Sequence, residues 1–501
     1  MFFKKIKCHY FFYLLLALIY AFNLLDPIRL TVVDLGRHIA NGRELLSGNT
    51  QVLFQNHYSY SMPEQKFINH HWFFGVIVYL LDQLIGLAGP QLFNIFILLV
   101  VLFFLLKMME DVSSPLISSL LGLIAVIFLS MRTEIRPESI GLLFTAHTLW
   151  QLKKIQKNDF LSPKIMTLLL IQQLVWANTH ISFIFGIFLI GLAWSCAAIL
   201  KSPHVSFSLG KKLGWLLVMV IIVSLINPNF FRGFLEPFNI LIDYGYSIVE
   251  NQTLLFLWKA INHSGFIWFT VYSLMFIPLY LMNFRELDWF EKTLSLTGLF
   301  LGYQALRNVP LMIVFTIPTL AKLFNIQYEK IRKKISFDFP PKLMKIFLGQ
   351  LYGLFLLLTF AGIINPSINF SNRKLGPVVE EARAASFIKE SSKQGPIFNN
   401  YDLGSYLIYH LHPKHKVFVD NRPEAYSSSF FQNTYIPMQQ DSEIWTEVAN
   451  QYDFKLVVFG ARDITPWAKQ FITHMIDNPD WKKIYEDQYI IIWEKDDDFD
   501  V

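Results

Sequence analysis

The stretch Thr31 to Gly48, TVVDLGRHIANGRELLSG, brings a carboxylate, a guanidinium and an imidazole within five positions of one another. Written on a helix, Asp34, Arg37, His38 and Asn41 fall on one face, because residues three and four apart are neighbours on a helical surface. Leu35, Ile39 and Leu46 fall on the other face, so the stretch reads as an amphipathic helix in a membrane interface, polar side toward a cavity or water. A carboxylate beside a guanidinium and an imidazole could do acid–base work next to a phosphate. A plainer use of the same residues is also open: Asp34 caps the helix and Arg37 meets lipid phosphates.

Four further polar islands interrupt apolar runs: RTEIRPE (132–138), WANTH (176–180), NPNFFRGFLEP (227–237) and LRNVP (306–310). They contribute Arg132, Glu134, Arg136, Glu138, His180, Arg232 and Arg307. Charges at the depth of a helical bundle are expensive and mark a functional site by default. Mutual ion pairing is the structural alternative for the 132–138 set, and an interface histidine for His180. If the islands converge, they form a polar, cationic cavity. The aromatic stretch NHYSYSMPEQKFINHHWF (56–73) fits an interfacial belt. Its His57, His70 and His71 lack the spacing of a zinc-binding helix, which argues against a metal there.

The elements that must position these residues are membrane helices. The chain of 501 residues is 53% apolar and 16% charged, against about a quarter charged in soluble proteins. Twelve apolar segments are candidate spans: 9–25, 72–87, 90–106, 115–130, 139–152, 165–177, 182–200, 213–226, 264–282, 292–304, 309–322 and 345–364. Lys4, Lys5 and Lys7 precede the first, with no cleavage site after it, so the N-terminus is expected in the cytoplasm. Basic loops at 153–157, 201–212, 285–292 and 322–345 are read as cytoplasmic, which puts 26–71, 131–138, 227–263 and everything after 365 outside. Parity then requires one segment, 72–87, to be re-entrant or shallow, leaving eleven crossings. The net charge of +5 sits in these loops and gives no nucleic-acid footprint.

The expected fold is a mainly α polytopic bundle over 1–364, with a first outer loop at 26–71 and a small extracytoplasmic α/β domain over 365–501. The tail reads as helix 377–392, strand 396–398, helix 402–411 and strands 416–420, 455–459 and 489–493, then an acidic end. Cys8 and Cys196 imply no disulfide framework.

The islands, in this order, resemble a bacterial group within the GT-C superfamily of polytopic glycosyltransferases, related to protein O-mannosyltransferases and lipid A aminoarabinose transferases. The matching pieces are DLGRHIANGREL with Asp34, then NHYSY, HHWF, RPES, WANTHISFIFG, NPNFFRG and ALRNVP, with NNYDLGSYLI and VFVDNRPEAY in the tail. The resemblance implies transfer of a sugar from a polyprenyl-phosphate donor to a glycan, lipid or protein acceptor on the outer face of a bacterial inner membrane. It makes Asp34 the general base, with Arg37 and His38 stabilising the departing phosphate, and matches Glu134 or Glu138 to a second acidic position. DLG stands where several relatives carry DE or aromatic residues. No clean D-x-D or adjacent acidic pair lies near Asp34, which argues against a divalent metal, and no other cofactor is expected. The competing readings are a membrane transporter and a non-catalytic envelope-glycan assembly protein. The polar clusters sit at span ends instead of the midplane, and no phosphate-binding G-x-x-x-x-G-K-[ST] loop is present, both against transport.

Overall fold

The computed structural model describes residues 8–200, 206–239, 244–335, 346–347, 349–354, 373–391 and 395–496. Fourteen α-helices precede residue 336 among these: α1 (Cys8–Asn23), α2 (Leu35–Leu46), α3 (Trp72–Ile85), α4 (Ala88–Glu110), α5 (Pro115–Leu129), α6 (Glu138–Asn158), α7 (Pro163–Ala177), α8 (Ile184–Ala198), α9 (Phe207–Ser224), α10 (Phe230–Asn239), α11 (Leu254–Ile261), α12 (Gly265–Met282), α13 (Trp289–Gln304) and α14 (Val309–Ile335). Their ends follow from capping chemistry. Ser114 and Ser162 each precede a proline at the first helical position and accept the backbone N–H of Ile117 and Ile165 at 3.4 and 3.2 Å. Asp288 and Glu291 form a reciprocal capping box at the start of α13.

Among the described residues, five helices are long and apolar enough to cross a membrane: Ala88–Glu110, Ile181–Ala198, Phe207–Ser224, Gly265–Met282 and Leu306–Lys334. Shorter apolar helices, Tyr10–Asn23, Trp72–Ile85, Pro115–Leu129 and Pro163–Ala177, pack among them. The chain is an integral membrane protein. Leu14 and Leu18 on α1, Phe96 and Phe103 on α4, and Leu274 and Leu281 on α12 are exposed, as a lipid-facing surface requires. α3 has 14 residues and so reaches only about 21 Å at 1.5 Å per residue, short of a bilayer core as a straight rod. The expected span 345–364 falls mostly outside the described residues.

The tail carries a four-stranded sheet in the order β1-β2-β4-β3, from β1 (Ile397–Asn399), β2 (Leu456–Gly460), β3 (Trp481–Glu486) and β4 (Ile490–Lys495). β1 and β2 are parallel, and the other pairs are antiparallel. Helices Ser442–Gln451 and Ala468–Asp477 flank it; neither they nor β3 were expected. Residues 416–420, expected as a strand, are not one. Val417 makes isolated bridges to Ser59 and Ile397, and the Asn399 side chain takes the neighbouring backbone groups, accepting from Phe418 N at 2.9 Å and donating to Val419 O at 2.7 Å. A side chain has replaced the ladder.

The tail and the loop between α1 and α3 share one apolar core. Ile28, Leu35, Ile39 and Tyr58 pack with Ala384, Tyr406, Val417 and Ile490. Backbone bonds run the same way: Ile28 N to Gly376 O (3.0 Å), Val378 N to Ile28 O (2.9 Å) and Val417 N to Tyr58 O (3.1 Å).

Candidate active site

α2 is where the expectation of an interfacial amphipathic helix fails. Leu35, Ile39, Arg37, His38 and Asn41 are all buried, polar and apolar faces alike. α3 covers one side and the tail helix Gly404–Leu411 the other. A Cβ on Gly42 would overlap the Gly75 carbonyl, and one on Gly36 would lie 2.7 Å from Ser405 O. These glycines let both neighbours approach the α2 backbone directly. A polar helix is buried here because its polar groups have partners: Tyr58 Oη donates to Asn41 Oδ1 at 3.0 Å, and Arg37 N donates to Ser405 Oγ at 3.0 Å.

Asp34 occupies the N-cap position of α2, yet its side chain makes no capping hydrogen bond. The carboxylate faces cations instead. Oδ2 accepts from Arg37 Nη2 at 3.4 Å and contacts His38 Nε2 at 3.3 Å, while Oδ1 lies 3.7 Å from Arg136 Nε and has no hydrogen-bond partner. Burial opposes ionisation of Asp34, but Arg136, His38 and Arg37 outweigh it and hold the carboxyl well below its usual range. Burial and Arg37 push His38 down to about 4, so the ring is neutral at pH 7. A neutral ring donating Nε2–H to Asp34 leaves Nδ1 as an unpartnered acceptor.

The 132–138 island converges on the same place. Arg136 Nη1 lies 2.5 Å from Glu250 Oε2, and Arg132 Nη2 lies 3.1 Å from that oxygen. Arg132 also meets Glu134 at 3.5 Å and Glu138 at 3.9 Å. Arg307 reaches Glu250 at 3.5 Å and Glu138 at 3.6 Å. His180 joins from the α7–α8 junction, its ring stacked on His71 with centroids 5.2 Å apart, and His71 in turn meets His38 at 5.3 Å. Of the expected residues, Asp34, Arg37, His38, Arg132, Glu134, Arg136, Glu138, His180 and Arg307 come together. Arg232 does not; it is exposed on α10.

Two carboxylates of this region escaped sequence reasoning. Glu250 lies in a short 3₁₀ turn, Val249–Asn251, of the long loop 227–263. Charge balance could have flagged it, since four arginines with only Asp34, Glu134 and Glu138 leave one cation without a counterion. Asp402, in the tail, has an exposed edge, but the protein around it together with Asp463 and Glu250 pushes its carboxyl up to about 7. Arg136 bridges Asp34 and Glu250, 3.7 Å from Asp34 Oδ1 and 2.5 Å from Glu250 Oε2.

Beside the cluster opens a cavity of about 790 Å³. Arg132, Arg136, Arg307, Glu134 and Glu138 line it together with apolar residues such as Leu129, Phe185, Phe300 and Leu311. This is an amphipathic space that combines three guanidinium groups and two carboxylates with apolar walls. The contacts of Arg307 to Glu138 and Glu250, at 3.6 and 3.5 Å, and of Arg132 to Glu134 and Glu138, at 3.5 and 3.9 Å, are long, so both guanidiniums keep donors for an incoming anion.

No family model matches the sequence, and no curated protein matches it. Solved structures do. The archaeal oligosaccharyltransferase AglB from Archaeoglobus fulgidus, in complex with an inhibitory peptide and a dolichol-phosphate, is similar with a TM-score of 0.61 at 12% identity, covering 92% of this chain and 70% of that one. Its apo form gives 0.62 at 11% identity with the same coverage. ArnT from Cupriavidus metallidurans in the apo state gives 0.56 at 13% identity, covering 96% of both chains. The chain has the fold of these proteins.

Proposed function

We propose that the protein is a glycosyltransferase that moves a sugar from a polyprenyl-phosphate carrier to an acceptor hydroxyl on the outer face of the membrane. The observation that carries this reading is the amphipathic cavity. A lipid phosphate needs apolar walls for its chain and fixed cations for its headgroup, and the cavity joins Leu129, Phe185, Phe300 and Leu311 to Arg132, Arg136 and Arg307. Asp34 contacts Arg136, which lines the cavity, so the base and the phosphate site share a wall. The fold shared with AglB, whose structure is a complex with dolichol-phosphate, supports a lipid-phosphate donor class.

In the proposed reaction, the acceptor oxygen attacks the anomeric carbon as the bond from that carbon to the phosphate oxygen breaks. The electron pair leaves with the phosphate, and inversion follows from direct displacement. Asp34, whose side chain is partly exposed, takes the hydroxyl proton. Arg132 and Arg307 stabilise the charge that develops on the leaving group, and need only exchange Glu134 and Glu138 for it. Neutral His38 and buried Arg37 hold the Asp34 carboxylate in orientation.

The test is purification in detergent with a labelled pool of polyprenyl-phosphate sugars, followed by mass spectrometry of the copurified lipid and of any glycosylated acceptor. Copurification of lipid phosphate that is lost in Arg132→Gln and Arg307→Gln supports the reading. Equal retention of lipid by wild type and both variants counts against the cavity as the donor site.

A further inference from the structure

A second constellation lies at the far end of α2. Glu44, His57 and His412 come from the last turn of α2, the following loop and the tail, separated by 13 and 355 positions in the sequence. Glu44 Oε1 is 3.2 Å from His412 Nε2, and Glu44 Oε2 is 3.7 Å from His57 Nε2. One ligand atom from each residue falls within 4.8 Å of the others. A tetrahedral zinc ion with ligands at 2.0–2.2 Å sets its ligands about 3.3–3.6 Å apart. Each Glu44 oxygen faces one imidazole nitrogen near this spacing, at 3.2 and 3.7 Å, and the two imidazoles offer nitrogens within 4.8 Å of each other.

We infer that Glu44, His57 and His412 form a binding site for a zinc-class divalent ion that clamps the end of α2 and its following loop to the tail. Two imidazoles and one carboxylate are a donor set of the type zinc takes, with a fourth position left for water. The polar groups around the site already point the needed way. Asn49 Oδ1 accepts from Gln51 N at 3.2 Å, which fixes the amide so that its Nδ2 donates to both Glu44 Oε2 (2.9 Å) and His57 Nε2 (3.1 Å). His57 Nε2 is therefore unprotonated and accepts from an amide N–H₂ that bridges it to Glu44, two acceptors that a cation would bind in its place. His412 Nε2 donates to Glu44 Oε1 at 3.2 Å, so a metal there would displace that proton, and Nδ1, which has no partner, is free to take it. Arg43 lies 3.9 Å from Glu44, and its Nη2 is committed to the His412 carbonyl at 3.2 Å, which fixes the backbone of that ligand; Lys416 and Arg422 are further cations on the His57 side.

The consequence concerns the other end of the same helix. α2 carries Asp34, Arg37 and His38 at its start and Glu44 at its end, so a metal at Glu44 would pin the helix that presents the Asp34 cluster.

The experiment uses the full chain in detergent, stripped with a chelator and titrated with Zn²⁺, with bound metal counted by mass spectrometry. Wild type is expected to hold about one ion per chain, and His57→Gln and His412→Gln to weaken binding by about a hundredfold or more. Cobalt in place of zinc should give the visible spectrum of a tetrahedral site in wild type and not in either variant. Zinc should also raise the thermal midpoint of wild type and leave that of His57→Gln unmoved; His57 is the half-buried ligand, so this variant stands in if His412→Gln does not fold. Asp34→Asn should keep the metal. The proposal is overturned if wild type binds no more zinc than the variants, or if Asp34→Asn abolishes binding while His57→Gln does not.

Discussion

Asp34→Asn separates a catalytic carboxylate from a structural one, and the geometry sets both magnitudes. Asn is isosteric with Asp, and there is no side-chain cap to lose, since Asp34 makes no capping hydrogen bond. What disappears is the charge facing Arg37, His38 and Arg136. Arg136 keeps Glu250 at 2.5 Å and Arg37 keeps Asn421 at 3.5 Å, so neither cation is left bare. The stability cost is therefore about 1.5–3 kcal/mol, the scale of a hydrogen bond to a charged group. The rate is another matter. Removing a general base costs roughly 10²- to 10⁴-fold, or about 3–5 kcal/mol of barrier. The folded pKa of Asp34 lies below its unfolded value, so its charge contributes stability above about pH 4 and loses it only as pH falls further. Between pH 5 and 8 the carboxylate does not titrate. The variant should then lower the whole pH–rate profile without changing its shape. The assay is product formed per folded, lipid-loaded protein, measured across that range. Wild-type turnover in Asp34→Asn, or a loss that merely tracks loss of folded protein, would refute the assignment.

Other perturbations follow from single contacts. Arg422 binds Asp420 through two bonds of 2.7 and 2.6 Å and reaches Asn56 at 2.7 Å, all buried; Arg422→Met should destabilise by about 3–5 kcal/mol in chemical denaturation, and adding Asp420→Asn should recover part of it. Gly42→Ala should push α3 off α2 and lower both the thermal midpoint and transfer activity, because the added methyl meets the Gly75 carbonyl. Asp402 is raised from 3.8 to about 7, so the folded state holds its proton more tightly than the unfolded chain and stability falls as pH climbs from about 4 to 7. Asp402→Asn should therefore raise the thermal midpoint relative to wild type more at pH 8 than at pH 5. For sidedness, single cysteines at 153–164, on a background with Cys8 and Cys196 replaced by serine, should resist impermeant thiol reagents in intact cells, whereas cysteines at 400–490 should label.

The sequence by itself determined the membrane character, most helix positions and the membership of most of the polar cluster. Those features are local. An apolar run of sufficient length can only be buried or in lipid, and a charge interrupting it must find a partner, so Arg132, Arg136, Glu138 and Arg307 announced themselves by their cost. Ser-Pro caps fixed helix starts for the same reason. The tertiary structure alone decided what the partners are. Glu250 sits in a loop without periodicity and is 114 positions from Arg136. Asp402 gains its environment from Asp463 and Glu250. The amphipathic pattern of α2 predicted one wet face, but hydrogen bonds from Tyr58 and to Ser405 and the close packing at Gly36 and Gly42 bury residues 35–42 on both faces. The 416–420 strand was lost to the side chain of Asn399, which periodicity does not register. In each case the deciding interaction joins residues far apart in the chain, and its energy depends on a distance that no local pattern encodes.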